Sequence, residues 1–477
     1  MVTDSTVRQI QFLGGAGKAP VTHGCFKRTQ GLEGREVLEH DVKFYSQYEH
    51  KGFVGFMPRL HRQSIPKQFT RVYSMSKALR IFVLFACGYF VSYVYRGVNI
   101  GFAPFMTRDL GLSSADLGLL TSLYFLGFAG AQLPAGVLLD KFGPRRVSSL
   151  VLLLAAAGAA LFGLAHGVGA LMVGRLLIGV GVSVCLGSAF KALAQWFPVA
   201  RLPLLNGLVM AVGGMGGVVV GTPLNWLLGL TDWRVVSFGL AALTVLMSIV
   251  LWFGAPEKPG SHAQGGLSEA LQGVRQVFGN TMFWKVTSLS GLTQGVFYAM
   301  QSLWMAPFMR DVEGLSAAEA ASLVSVVGLA MMAGSVVFGA AARSLERRGV
   351  SVFAFSGVGM VLFVVVQLLL MLRTPIPPVW LWAAYGIFGG TGILSYAVLA
   401  EYFHGTLIGR VNTSLTLVIF LLIFLCQVGV GAVLGAYAAH SPQGHFSAWT
   451  VLVVLQVVGA VWYFWPQRQR VGKVAAA

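Results

Sequence analysis

From Ile81 to Trp465 the chain alternates long apolar runs with short polar breaks. Twelve runs can be drawn, at 80–104, 116–139, 147–166, 170–194, 205–229, 234–254, 283–308, 319–342, 350–371, 378–399, 410–436 and 446–465, here called spans 1 to 12. Each is close to the ~20 residues that carry a helix across a bilayer's hydrocarbon. A lone strand would leave its backbone groups unpaired in lipid, so the pattern predicts helices throughout. The longest internal break, Pro256 to Asn280, is rich in Gly and charge and divides the spans six and six. Residues 1–74 are polar, with no run long enough to span and no secretory-signal pattern. They read as a disordered cytoplasmic tail, or as a stretch preceding a natural start at Met75. The expected organisation is a tail (1–74), a first bundle (75–255), a linker (256–280), a second bundle (281–466) and a basic tail (467–477).

Composition agrees. The chain is 56% hydrophobic and only 11% charged, against about 25% charged in a soluble domain. So much apolar surface does not fit one aqueous core, and the first expected partner is a lipid bilayer. The net charge of +17 collects in the tails and in alternate breaks, at Lys141, Arg145 and Arg146, then Arg201, Lys258 and Arg275, Arg343 to Arg348, and Arg410. The other breaks are poor in net charge. Cation-rich breaks face the cytoplasm, which places both termini there and the chain in the plasma (inner) membrane. Facing an anionic leaflet accounts for the cations, and no aromatic-basic module for nucleic acid is present. Trp226, Trp233, Trp380, Trp382 and Trp465, near span ends, suit an interfacial belt. Neither the scattered cysteines nor His166, His404 and His440 have metal-ligand spacing, and no phosphate-cradling loop occurs. No cofactor, metal or enzymatic activity is expected.

The chain repeats itself. Ala103-Pro-Phe-Met106 recurs as Ala306-Pro-Phe-Met309, an offset of 203 residues. At the same offset Gly111-Leu-Ser113 meets Gly314-Leu-Ser316, Asp116 meets Glu319, and Gly136 meets Gly339. Three residues further displaced, Asn206 pairs with Asn412. Two parallel six-helix halves follow, with a binding site between them near the midplane.

Spans 2 and 3 are joined by Gly136-Val-Leu-Leu-Asp140-Lys-Phe-Gly143-Pro-Arg145-Arg146-Val147. This G-x(3)-D-[KR]-x-G-x-[KR] hairpin strongly resembles the loop between helices 2 and 3 of the major facilitator superfamily of secondary transporters. Gly174-Arg175-Leu-Leu-Ile-Gly179-Val-Gly181 in span 4 is similar to that family's R-x(3)-G-x-G signature. The resemblance implies an all-α integral membrane fold of twelve transmembrane helices in two pseudo-symmetric bundles. It also implies that Asp140 approaches the start of span 11 when the cytoplasmic side closes. There a helix N-terminus favours a carboxylate, making a latch. Gly136 and Gly143 would permit close packing and a tight turn. In the second half Arg343 stands at the place of Asp140, so the latch should be one-sided. Arg175 calls for an ion pair, or for snorkelling to the outer interface.

Arg96 lies deep in span 1, in Tyr89-Phe-Val-Ser-Tyr93-Val-Tyr95-Arg96-Gly-Val-Asn99. At helical spacing Tyr89, Ser92, Arg96 and Asn99 share a stripe, with Tyr93 beside it. Such a polar face makes sense lining a cavity, and a guanidinium fork suits a carboxylate or phosphate. The Tyr-x-x-Arg arrangement resembles the anion:cation symporter branch of the superfamily, which implies that Arg96 holds an organic anion. Lys191 falls at a commonly basic position of that branch. The branch's acidic residue in helix 4 is absent here, and no Asp or Glu lies well inside a span. In span 7, Gln294, Tyr298 and Gln301 repeat the stripe, and Tyr385, Tyr396, Asn412 and Gln427 add neutral polar groups.

The expected activity is alternating-access transport of a small anionic solute, such as a carboxylate or sugar acid, by a protein working as a monomer. Its binding residues would be Arg96, Tyr93, Asn99, Lys191, Tyr298 and Gln301, and its conformational residues Gly136, Asp140, Gly143, Arg145 and Arg175. Export of amphipathic compounds, or a non-transporting membrane sensor, is the alternative.

Overall fold

The computed structural model describes residues 67–198, 201–257, 267–403 and 407–466. The expectations for residues 1–66, for 258–266 of the linker and for the basic tail 467–477 lie outside them. Among the described residues the regular structure is helical throughout. Nine helices among the described residues are long and apolar enough to cross a membrane, or ten if the pair Leu204–Val219 and Thr222–Leu230, bent by 43°, is one span. One of the nine, Ser114–Leu164, holds two expected spans, turning at Gly143 where φ is 79°. The remaining expected span, span 7, is the run Thr281–Ala299, Met300–Trp304 and Met305–Asp311, which carries Lys285, Gln294 and Gln301 among its apolar residues. Lipid-facing stripes of exposed aliphatics remain on the outside, such as Val454, Val458 and Val461 of span 12.

Two expected boundaries move. The helix of span 1 runs Lys67–Gly97 and so begins inside the expected tail. Apolar residues mark only the part inside hydrocarbon, whereas the hydrogen-bonded ladder continues into polar sequence. The linker contains a helix, Leu267–Phe278, with Val274 and Val277 buried. It lies close on span 11: a Cβ on Gly273 would come 2.8 Å from Arg410 Cγ.

Besides the bent span 5, four spans are interrupted along their length. Span 1 stops at Gly97 and resumes as Asn99–Leu110; span 4 is split into Val168–Val182 and Cys185–Trp196. Span 7 has a π-turn at Met300–Trp304, and span 10 a 3₁₀ turn at Gly390–Leu394 between Pro378–Gly389 and Ser395–Tyr402. The four are the leading helices of successive groups of three. The repeat seen in sequence is also present in local geometry. Ser113 with Asp116 and Ser316 with Glu319 form matching capping boxes, each after a glycine with φ of 65° or 72°. In each box the serine accepts from a backbone amide while the carboxylate accepts from the serine's own amide.

Opposite the hairpin the two halves meet through backbone. A Cβ on Gly328 (span 8) would lie 2.8 Å from the carbonyl carbon of Gly217 (span 5), and one on Gly118 (span 2) 3.1 Å from Gly431 Cα (span 11). Thr222 N donates to Ser325 Oγ at 2.8 Å, and that hydroxyl donates to Val218 O at 3.0 Å. Small residues let membrane helices approach this closely. Of the five expected interfacial tryptophans, Trp226, Trp380 and Trp465 are exposed. Trp233 and Trp382 are instead fully buried, their indoles donating to Asp109 and Glu313 at 3.1 Å.

Candidate functional site

Arg96 reaches the interface of the halves in the last turn before its helix breaks, and it is 6% exposed. Its guanidinium carbon lies 4.7 Å from the ring centre of Tyr93, 4.9 Å from Tyr298 and 5.3 Å from Phe420. Two of those rings belong to the second half. Each contact contributes about 0.5–2 kcal/mol, against a cost of at least ~2.5–3.5 kcal/mol for a cation in a bilayer. The rings offset much of the burial without using up the fork of donors: Arg96 Nε has no hydrogen-bond partner. No carboxylate is ion-paired to Arg96 among the described residues.

The fork lines a cavity of about 420 Å³ between the halves. From Arg96, Tyr298 and Phe420 its wall extends to Gly136, Asn206 and Asn412, residues toward the hairpin ends of spans 2, 5 and 11. With the other side sealed by glycine contacts, the cavity opens on the hairpin side. Its wall combines rings (Phe128, Phe190, Phe420) with neutral amides (Gln132, Gln294, Asn206, Asn412). Phe128 and Phe420 stack across the halves at 3.9 Å. The Oδ1 atoms of Asn206 and Asn412, partners under the sequence repeat, both lack hydrogen-bond partners.

Several expected residues come together here. Tyr93 donates to Gln301 Oε1 at 3.3 Å, joining spans 1 and 7 beside Arg96. Tyr89, Gln294, Tyr298, Tyr396 and Asn412 are in the wall. Others turn away. Asn99 Nδ2 donates to Thr121 at 2.9 Å, and Ser92 reaches Val182 O at 3.5 Å, so both pack against spans of their own half. The break at Val98 ends the regular spacing that put Asn99 on the stripe of Arg96. Tyr385 is buried against Phe297, and Gln427 donates to Ser302.

Lys191 is not in the wall either. Its Nζ donates to Asp140 Oδ1 and Leu139 O, both at 2.7 Å. Asp140 is thus paired within its own half in this arrangement. Gly143 makes the tight turn, but Gly136 faces open space, where close packing was expected. Arg145 and Arg146 both approach Glu257, at 3.9 and 3.2 Å, tying the hairpin to the end of span 6. Arg175 neither pairs with an acid nor snorkels. It is 1% exposed, donates to Tyr95 O at 3.1 Å and lies 4.7 Å from the Phe162 ring. The carbonyl it caps lies just before the break in span 1, which explains how a helix end supplies what a carboxylate was expected to. In the second half Arg343 bonds its own helix at Gly339 O and shares a surface groove with Glu346 and Glu401.

Phe128, Gln132 and Phe420 went unnoticed in sequence, because a Phe or Gln in an apolar span carries no signal of which face it takes. The pairing of Asn206 with Asn412 in the repeat was the available hint.

A family model described as Major Facilitator Superfamily matches residues 85–425. The "Probable sulfoacetate transporter SauU" of Cupriavidus necator is 28% identical over 177 residues, 37% of this chain and 41% of that protein. The "Hexuronate transporter" of Bacillus subtilis is 24% identical over 293 residues, covering 58% of this chain and 68% of that one. The chain thus spans well under two thirds of the first relative and about two thirds of the second. Among solved structures, a bacterial homologue of the human lysosomal transporter Spinster, inward-facing and unoccupied, superposes with a TM-score of 0.63. The identity there is 18%, over 82% of this chain and 96% of that chain.

Proposed function

Since the chain belongs to the major facilitator superfamily, we propose that it carries a small organic anion across the membrane by alternating access, with the anion held at Arg96. The observation that supports this reading is a buried guanidinium, held by rings instead of a carboxylate and facing a cavity between the halves. Neutral amides and the Tyr396 hydroxyl around the cavity suit hydroxyl groups on the solute, as in a sugar acid. The relative named for hexuronate, a singly charged sugar acid, adds support. On the same reading the hairpin side is cytoplasmic, the membrane is the plasma membrane, both termini are inside, and one chain suffices, since the cavity is built within it. Export of amphipathic compounds draws its support from the aromatic part of the wall.

Thermal shift on the purified chain tests the proposal, using glucuronate, with glucose as its uncharged counterpart. Glucuronate should stabilise the wild type, glucose should not, and Arg96→Ala should abolish the difference. Equal stabilisation of both proteins would remove Arg96 from the site.

A further inference from the structure

Among the residues of the cavity wall, Arg96 is the sole Lys, Arg, His, Asp or Glu. Its neighbours from each packed element are uncharged at neutral pH: Tyr89 and Tyr93 on its own span, Tyr124 on span 2, Tyr298 on span 7, Tyr396 on span 10 and Phe420 on span 11. Lys191, a cation on the hairpin side of span 4, is matched by Asp140. The sequence places every carboxylate of the twelve spans at a span end, so none can lend its charge to an empty Arg96.

We infer that the protein is an exchanger: it moves one monovalent anion inward for one outward, and the empty carrier does not recross. This rests on the reading that Arg96 holds the anion. To change sides the cavity must pass through a state closed at both ends. With a monoanion seated, the charge of the cavity wall is cancelled. Without one, the closed state seals an uncompensated guanidinium from water, which lowers its population by about one order of magnitude after the offset from the rings. The rings around Arg96 lower the cost of the cation in both the empty and the loaded protein, but only the anion cancels its charge. A divalent anion leaves a net negative charge in the same closed space, so monovalent solutes are favoured. A carrier with a carboxylate in the wall could return empty by neutralising the arginine itself; here the returning anion does that.

The full chain in proteoliposomes tests this with labelled glucuronate and nitrate as monovalent probes and tartrate as a divalent one. Vesicles loaded with the unlabelled monovalent probe should take up label about tenfold faster than vesicles holding buffer alone. A potassium-diffusion potential or a pH gradient should leave that rate unchanged. Tartrate should exchange at least tenfold more slowly. Comparable uptake into buffer-only vesicles, above all if driven by an inward proton gradient, would overturn exchange and point to an end carboxylate such as Asp140 as the proton carrier. Tartrate matching the monovalent probes would overturn the valence rule. Failure of the underlying reading looks different: none of the probes would stabilise the wild type more than Arg96→Ala.

Discussion

Lys191 and Asp140 meet at 2.7 Å across spans 4 and 2, inside one half, while the cavity beside them stands open on the hairpin side. The carboxylate therefore has a partner when the hairpin side is open. In the closed state it has a second candidate, the amide end of span 11. Breaking the pair from either side should act in opposite directions. Lys191→Met frees Asp140 and should favour the closed hairpin side; Asp140→Asn should favour the open one. Stability should change by less than about 1 kcal/mol, since the two side chains are 21% and 38% exposed. Distances between spin labels at Gly136 and Thr413, on facing walls of the cavity, report the balance. A shift of both variants in the same direction would dispose of the latch.

The opposite side depends on glycine. A methyl on Gly328 would meet the Gly217 carbonyl carbon and Val218 N at 2.8 Å. Overpacking of that kind costs typically ~1–3 kcal/mol, and here only in the state where spans 5 and 8 touch. Gly328→Ala should move the population about tenfold or more toward separation at this end. A cysteine placed at Ser325 should then react faster with a membrane-impermeant maleimide; an unchanged rate would mean the seal does not depend on this contact.

Arg175 is a different kind of buried cation, serving a backbone carbonyl. Arg175→Met keeps the stem against Phe162 and removes the cost of burying charge, while leaving Tyr95 O short of a donor. Those effects oppose each other, at ~1–3 kcal/mol for the lost donor, so the net change should be small. Arg175→Ala adds a void and should cost ~3 kcal/mol or more. Thermal unfolding of the two variants separates the cases. Equal damage from both would mean that the charge itself is required.

The unpartnered amides of Asn206 and Asn412 should matter only for solutes that carry hydroxyls. Asn412→Ala should weaken glucuronate binding about two- to twelvefold, the worth of a hydrogen bond of ~0.5–1.5 kcal/mol. Nitrate affinity should stay within twofold. Calorimetric titration of both anions tests this, and parallel losses would indicate a general structural effect.

What the sequence determined by itself was set by the solvent. A bilayer demands helices of fixed length, so twelve spans could be read from hydropathy alone, and a duplicated chain declared its two halves through residues such as Ser113 and Ser316. Arg96 was legible for the same reason, because a cation deep in an apolar span must have a reason to be there. Which polar group meets which was decided only by tertiary structure. Helical spacing placed Asn99 beside Arg96, but a break at Val98, without Pro at the site to announce it, turned the asparagine toward Thr121. Lys191 resembled a second anion ligand until span 2 brought Asp140 against it. Trp233 and Trp382 resembled belt residues until carboxylates at the ends of spans 1 and 7 accepted their indoles. Burial in lipid is a property of a segment and can be summed along a chain. A hydrogen bond depends on the direction and position of two groups from distant segments, and these exist only once the helices have packed.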